Sequence, residues 1–203
     1  MEKQTELDGL VESTRGPQIW RRLFHGAVGV SVGLGVSLLG PTRQELLVAL
    51  AVALVGGLAA DLLRLRYPDL NVLFFRTFRT LASPREARAI ASSTWYVLGL
   101  LLVAALFPLE VFVPAVLVLA LADPAASYIG RRWGKRRLGT GSAEGLVVFV
   151  IVGAAVLLVW APPTTALLAA LAAGLVEVAP WKLDDNLTIP LTVAAALTLL
   201  GGA

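Results

Sequence analysis

Long apolar runs separated by short polar breaks dominate the chain. Seven of them stand out, at residues 23–40, 44–63, 91–107, 111–129, 146–161, 164–178 and 187–201. Runs of about 18 or more residues with few charges have the length needed to cross the ~30 Å hydrocarbon core of a bilayer as helices. The sixth and seventh are short for that task and are expected to be thinned or tucked behind other helices. Pro41-Thr42, Pro108-Leu109 and Pro162-Pro163 fall between neighbouring runs, where proline stops a helix. The pattern predicts an all-α, polytopic membrane bundle of about seven transmembrane helices. Residues 1–20 form a polar arm and residues 21–203 a single transmembrane domain.

The segment 64–90 is too polar to span. Its middle, Val72-Leu73-Phe74-Phe75-Arg76-Thr77-Phe78-Arg79, mixes bulky apolar and basic residues, which predicts a short helix lying in the membrane interface; a plain connecting loop is the competing reading. Gly29-x-x-x-Gly33 and the mid-span pair Gly56-Gly57 predict close helix packing.

Composition agrees with this pattern: 57% of the 203 residues are hydrophobic and 15% charged. An ordinary soluble domain is about 45–50% apolar and about 25% charged. If successive loops alternate sides, all but Arg43 of the 17 Lys and Arg residues fall on the side of the N-terminus. The positive-inside rule then places the N-terminus in the cytoplasm and the C-terminus outside. The isoelectric point near 9.7 is explained by that orientation and by anionic ligands, so no nucleic-acid partner is expected. With no cysteine and one histidine, disulfides, thiolate chemistry and His-rich metal sites are excluded. The opening MEKQTELDGLVES lacks a basic region followed by an apolar core, so no cleaved secretory signal is expected.

Acids inside spans are costly and mark candidate chemistry. Asp123 lies in the fourth run; a structural salt bridge is its competing reading. Asp61 sits three residues before Arg64, which would pair with it on one helix face. Glu177 ends the sixth run, where interfacial solvation explains it equally well. Residues 130–145 hold five cations and five glycines. Glycines let backbone N–H groups approach a ligand, and the segment feeds a helix N-terminus, so it reads as a polyphosphate cradle. A basic topology anchor would explain its cations but not its glycines. Its spacing is not that of a P-loop. Ser142 is the expected N-cap of the fifth span, which puts Glu144 in the first turn as a candidate Mg²⁺ ligand. Asp184-Asp185-Asn186 opens the seventh span, as a cap or as a site. His25 follows Arg21 and Arg22, and a lone histidine is often structural. The topology gathers all these groups at one end of the bundle.

These segments, in order, resemble a family of membrane proteins: the CTP-dependent polyprenol kinases acting on dolichol or phytol and the CTP-using diacylglycerol kinases. Arg21-Arg22-Leu23-Phe24-His25 is similar to the family's Arg-Lys-x-x-His. Asp61-x-x-Arg64 and Arg85-Glu86 sit where the family carries like residues. Asp123-Pro124 through Gly134-Lys135 is similar to Asp-Pro-x-Ala-x-x-x-Gly-x-x-x-Gly-Lys. Ser142-Ala143-Glu144-Gly145 matches the end of Lys-Ser/Thr-x-Glu-Gly, and Asp185-Asn186-Leu187-Thr188-Ile189-Pro190 matches Asp-Asn-Leu-Thr-x-Pro.

The resemblance implies transfer of the γ-phosphoryl of CTP, or another NTP, to a long-chain isoprenoid alcohol or diacylglycerol among the membrane lipids, at the cytoplasmic face of the cell membrane. It implies Mg²⁺ or another divalent cation on Asp123, Glu144 and Asp185, with His25 or an acid taking the hydroxyl proton. The nucleotide is expected on Gly130, Arg131, Arg132, Gly134, Lys135, Arg136, Arg137, Thr140, Ser142, Gly145 and Asn186. Arg21, Arg22, Asp61, Arg64, Glu86 and Glu177 are expected around the site. One departure stands out: the family lysine before Ser-x-Glu-Gly is Gly141 here. Lys135 or the Arg136-Arg137 pair is expected to substitute, folding back through a flexible Gly139-Thr140-Gly141. A cytidylyltransferase using the same substrates, or a non-enzymatic transporter, are the rival readings.

Overall fold

The computed structural model describes residues 2–15, 18–180 and 183–201. Among them are nine α-helices: α1 (Glu2–Ser13), α2 (Ile19–Leu39), α3 (Arg43–Arg66), α4 (Pro68–Thr77), α5 (Ser92–Leu106), α6 (Phe112–Trp133), α7 (Ala143–Leu157), α8 (Pro163–Val178) and α9 (Asp185–Leu199). Short 3₁₀ turns at Pro84–Ala87 and Leu109–Val111 precede α5 and α6. A small antiparallel hairpin, β1 (Arg137–Leu138) and β2 (Gly141–Ser142), links α6 to α7.

Every one of the seven apolar runs is a helix. Ile19–Leu39, Arg43–Arg66 and the stretch Leu109–Trp133 are long and apolar enough to cross a membrane. Helices α5, α7, α8 and α9 have 15 or 16 residues, which at 1.5 Å per residue is about 23 Å. Ala203, whose outer placement the charge pattern predicts, lies outside the described residues, as does Lys182.

Helix α6 is the axis of the bundle. Helices α2, α7 and α9 pack on it, α8 bridges α7 and α9, α5 covers α9, and α3 covers α5. The core is a seam of fully buried side chains: Phe112, Val116 and Leu119 of α6, Phe149 of α7, and Ile189 and Val193 of α9. Helix α8 brings Ala166, Ala169, Ala170 and Ala173 to it, small side chains that let helices approach closely. By contrast α2 and α3 turn Leu34, Leu38, Val48, Val52 and Val55 outward.

Two helices of the bundle are each interrupted by a proline, and each exposes a carbonyl to a glycine. Pro124 cannot donate to the carbonyl of Ala120, and a Cβ on Gly26 of α2 would lie 2.9 Å from that oxygen. Pro190 likewise frees the carbonyl of Asn186, which sits directly against Gly99 of α5. Gly29 faces Ala120 and Gly33 faces Leu117, the close packing that their spacing predicts. Of the Gly56-Gly57 pair, only Gly57 meets a neighbour, Thr94.

The polar parts are more ordered than the pattern suggests. Residues 2–13 form a helix that packs on α4, with Leu7, Val72, Phe75 and Ala82 in a small second core. Glu6 pairs with Arg76 and Ser13 accepts from Arg79. The polar segment does contain a short helix, α4, starting four residues earlier than expected because Pro68 suits the first helical position.

Candidate active site

Two cavities, of about 610 and 480 Å³, open side by side at the end of the bundle where α2 and α9 begin and α6 and α8 end. Asp123, Ser127, Arg131 and Asp185 line both and form the wall between them. Asp123, Ser127 and Arg131 are four residues apart on α6, so they stack along one helix face. Asp185 is the first residue of α9, just after its N-cap.

The larger cavity lies between α2, the Pro84–Ala87 turn, α6 and α9. Arginines dominate it: Arg15, Arg21, Arg22, Arg85 and Arg131. His25, one turn after Arg21 and Arg22, lines it too, and its Nε2 is buried without a hydrogen-bond partner. The His25 ring meets the Tyr96 ring edge-on at 4.7 Å, and the Tyr96 hydroxyl is also unpartnered. Arg21 donates to Ser92 at 2.6 Å and lies 3.5 Å from Glu86. Glu86 itself accepts from the backbone N–H groups of Ser83 and Ser92 and from the Ser92 hydroxyl. Glu86 therefore positions Arg21 from behind and does not reach the cavity. Arg85 donates to Ser92 and pairs with Asp184.

The smaller cavity lies under the α6–α7 hairpin. Gly130, Gly134, Gly141, Gly145, Thr140, Ser142, Arg137 and Glu177 join the shared wall there. One oxygen of Glu177, Oε2, is buried with no partner. Asp123, Glu177 and Asp185 thus bring carboxylates from three helices to one space.

The structure changes the reading of the basic glycine segment. Arg131 and Arg132 belong to α6, which runs four residues beyond its predicted end. Asp123 is consequently ten residues, about 15 Å, from the helix terminus. The chain from 137 to 142 is a pinned hairpin and not a flexible run. Gly139 has φ 54°, and a Cβ there would strike the carbonyl of Val178. Thr140 donates its N–H to Val178 O at 2.9 Å and its hydroxyl to Glu177 O at 3.1 Å. Gly130, Gly134 and Gly145 serve packing, since a Cβ on any of them would press on Ser142 or on helix backbone.

Ser142 caps α7 as predicted, accepting from Gly145 at 3.0 Å. Glu144, expected on the metal, lines neither cavity; its carboxylate accepts from the backbone N–H of Arg136 at 3.4 Å. Its own N–H and that of Lys135 hold it below the usual carboxylate range. Arg132, Lys135 and Arg136 also line neither cavity.

Asp61 and Arg64 stand apart, bonded to each other at 2.7 Å and buried. Arg64 also reaches Asn71, Glu86 O and Ala89 O, while Asp61 accepts from Ala91 N and Thr94. Asn186 lines the larger cavity, but its amide is bonded to Asp184 and Ser92 O. Asp184 caps α9 and lines the larger cavity, while Asp185 lines both.

Sequence reasoning missed Arg15 and Ser127. Ser127 was findable, four residues after Asp123 on the same face. Arg85 carries part of the resemblance together with Glu86, and of the two it is Arg85 that lines the larger cavity. Arg15 comes from the arm, and no local pattern points to it.

The chain is similar to three proteins named CTP-dependent diacylglycerol kinase 1. It is 31% identical to that of Saccharomyces cerevisiae over 117 residues, 58% of this chain and 40% of the yeast protein. It is 26% identical to that of Eremothecium gossypii over 207 residues, 87% of this chain and 65% of the relative. It is 27% identical to that of Schizosaccharomyces pombe over 118 residues, 58% and 54% of the two. The chain resembles the CTP-dependent lipid kinases. It spans between 40% and 65% of the length of these relatives. No family model matches the chain, and no solved structure does. In this lipid-kinase relative, Arg21, Arg22, His25, Arg85, Asp123, Ser142, Asp185 and Asn186 are among the resemblance-bearing residues that line the cavities.

Proposed function

We propose that this chain is a membrane lipid kinase that transfers the γ-phosphoryl of CTP to the hydroxyl of a lipid alcohol. The acceptor is diacylglycerol, the lipid in its relatives' names, or a long-chain isoprenoid alcohol. The observation that carries the reading is the shared wall: carboxylates from α6 and α9 stand between two arginine-bearing cavities at one end of the bundle. Phosphoryl transfer needs positioning and charge neutralisation more than covalent help from the protein.

A divalent cation fits part of this donor set. Mg²⁺ takes one or two carboxylates and completes its shell with phosphate oxygens and water. Asp123 and Asp185, open to both cavities, are the residues that would hold it. Glu144 does not fit, because it faces the hairpin backbone. Among the described residues no three acids cluster tightly enough to cage an ion by themselves, so the nucleotide would supply the remaining oxygens. Bound there, the cation would offset charge on the transferring phosphoryl.

The acceptor oxygen bonds to the γ-phosphorus while the bond to the β,γ-bridging oxygen breaks, and CDP leaves. The hydroxyl proton passes to His25 Nε2, which is unpartnered and belongs to the cavity lining. Lipid reaches the site past the α2 entrance, where Ile19, Trp20, Leu23 and Phe24 are exposed. The apolar runs and the charge pattern support an arrangement of seven crossings with the N-terminus in the cytoplasm, in which the site would meet CTP at the cytoplasmic face of the cell membrane.

The test is purified protein with γ-labelled CTP, Mg²⁺ and a panel of lipid alcohols. Labelled phospholipid and CDP are expected. Release of pyrophosphate with a CDP-linked lipid would show a cytidylyltransferase instead.

A further inference from the structure

The basic hairpin is the obvious place for a triphosphate, but its geometry argues against it. A phosphate cradle needs backbone N–H groups with nothing else to bond. Here they are in use. Gly134 donates to Gly130 O, Thr140 to Val178 O and Ala143 to Arg136 O, while Gly145 donates to Ser142 and Arg136 to Glu144. The chamber under the hairpin also has the wrong charge. Three carboxylates, Asp123, Glu177 and Asp185, face two arginines, Arg131 and Arg137. A triphosphate would meet net repulsion there.

The neighbouring chamber has the opposite balance. Five arginines, Arg15, Arg21, Arg22, Arg85 and Arg131, face three carboxylates, Asp123, Asp184 and Asp185, and Asp184 is already paired with Arg85. Guanidinium groups bind phosphate oxygens in bidentate fashion, and uncompensated ones attract an anion.

We infer that CTP lies across the shared wall, with its triphosphate on Arg21, Arg22 and Arg131 and its cytosine under the hairpin, where Glu177 accepts from the exocyclic amine. The inference rests on the nucleotide-dependent reading above and deepens it. Glu177 Oε2 is a buried acceptor with no donor in the protein, and an unpaired buried acceptor is costly until a ligand supplies the hydrogen bond. A carboxylate accepting from the cytosine amine is a recurrent pairing, and it discriminates against uracil, which presents a carbonyl at that position. Gly141 makes this contact available. A Cβ there would lie 3.8 and 3.9 Å from the two Glu177 oxygens, so a branched side chain at this place would crowd the carboxylate. In this chain the carboxylate is left to the base.

The experiment measures binding apart from turnover, using the full chain in detergent with Mg²⁺. Inorganic tripolyphosphate probes the phosphate chamber, and the ratio of UTP to CTP dissociation constants probes the base chamber. Arg22→Gln and Arg131→Gln are expected to weaken tripolyphosphate and CTP about tenfold or more, as loss of a charged hydrogen bond does. Lys135→Ala and Arg136→Ala are expected to leave tripolyphosphate unchanged. Glu177→Gln is expected to leave tripolyphosphate unchanged and to cut the preference for CTP over UTP about tenfold. Gly141→Val, which crowds the carboxylate and spares Glu177 itself, is expected to reduce the same preference. Weakening by Lys135→Ala with no effect of Arg22→Gln would return the triphosphate to the hairpin. An unchanged CTP preference in both Glu177→Gln and Gly141→Val would overturn the base assignment. If the wild type bound neither CTP nor tripolyphosphate, the kinase reading itself would fall.

Discussion

Arg64 donates to Asp61 at 2.7 Å, and both side chains are only 4% exposed. The pair ties the end of α3 to the start of α5 through Ala91 and Thr94, and to the backbone at Glu86 and Ala89. It is a brace behind the arginine chamber and not a wall of it. Removing one partner leaves the other charge buried, which costs about 3–5 kcal/mol. Arg64→Ala is therefore expected to lower the unfolding temperature of the detergent-solubilised protein sharply. CTP affinity of the folded fraction is expected to stay within about twofold, a shift well under 1.4 kcal/mol. A loss of CTP affinity without a loss of stability would move Arg64 into the site.

Asp123 faces both cavities. Asp123→Asn keeps the shape and removes the charge, so turnover is expected to fall at least about 100-fold, the size of an effect worth several kcal/mol. The unfolding temperature should change little. A kcat within tenfold of wild type would exclude Asp123 from charge compensation at the reacting phosphoryl.

Glu144 behaves differently, because its carboxylate serves the hairpin backbone. Its folded-state pKa is depressed by backbone donors. The contribution to hairpin order is then present above the ordinary carboxylate value and lost as pH falls through the lowered one. A spin label at a cysteine introduced for Leu138 is expected to gain mobility only on acidification below the usual glutamate value of about 4.3. In Glu144→Gln the amide oxygen still accepts but does not titrate, so that transition should vanish while CTP still binds. An unaltered transition would assign it to another group.

Gly99 and Gly56 form a matched pair of helix-interior glycines with opposite expectations. A Cβ at Gly99 would collide with the carbonyl of Asn186, whereas Gly56 has open space around it. Gly99→Ala should displace the first turn of α9 and cost about 1–3 kcal/mol. Gly56→Ala should be neutral or stabilise by up to about 1 kcal/mol. Thermal unfolding of the two variants checks the contrast; equal effects would contradict the α5–α9 packing.

The topology is open to direct labelling, because the chain has no cysteine. Single cysteines at Pro84 and Arg136 are expected to react with an impermeant thiol reagent only after the cells are opened. Labelling at Arg136 from outside intact cells would reverse the orientation.

The seven apolar runs, their proline breaks and the Ser142 cap were readable along the chain, because helix formation and its ends depend on residues within a few positions of one another. The same local logic found Asp123, His25 and Asp185, each set by a neighbouring motif. It failed where distant segments decide. Lys135 and Arg136 sit amid glycines exactly as a phosphate loop would, yet α8 pins the hairpin through Thr140 and the N–H groups are consumed at home. The chamber that gathers arginines takes Arg15 from the arm, Arg21 and Arg22 from α2, Arg85 from a turn and Arg131 from α6. No spacing along the chain encodes that meeting. It depends on α2 closing on α6 at Gly26 and Gly29, against a carbonyl that Pro124 has freed. The sequence alone determined the kind of residues at this end of the bundle. Which of them face a cavity was decided by helix packing, because packing consumes some donors in the protein's own backbone and leaves others unpaired.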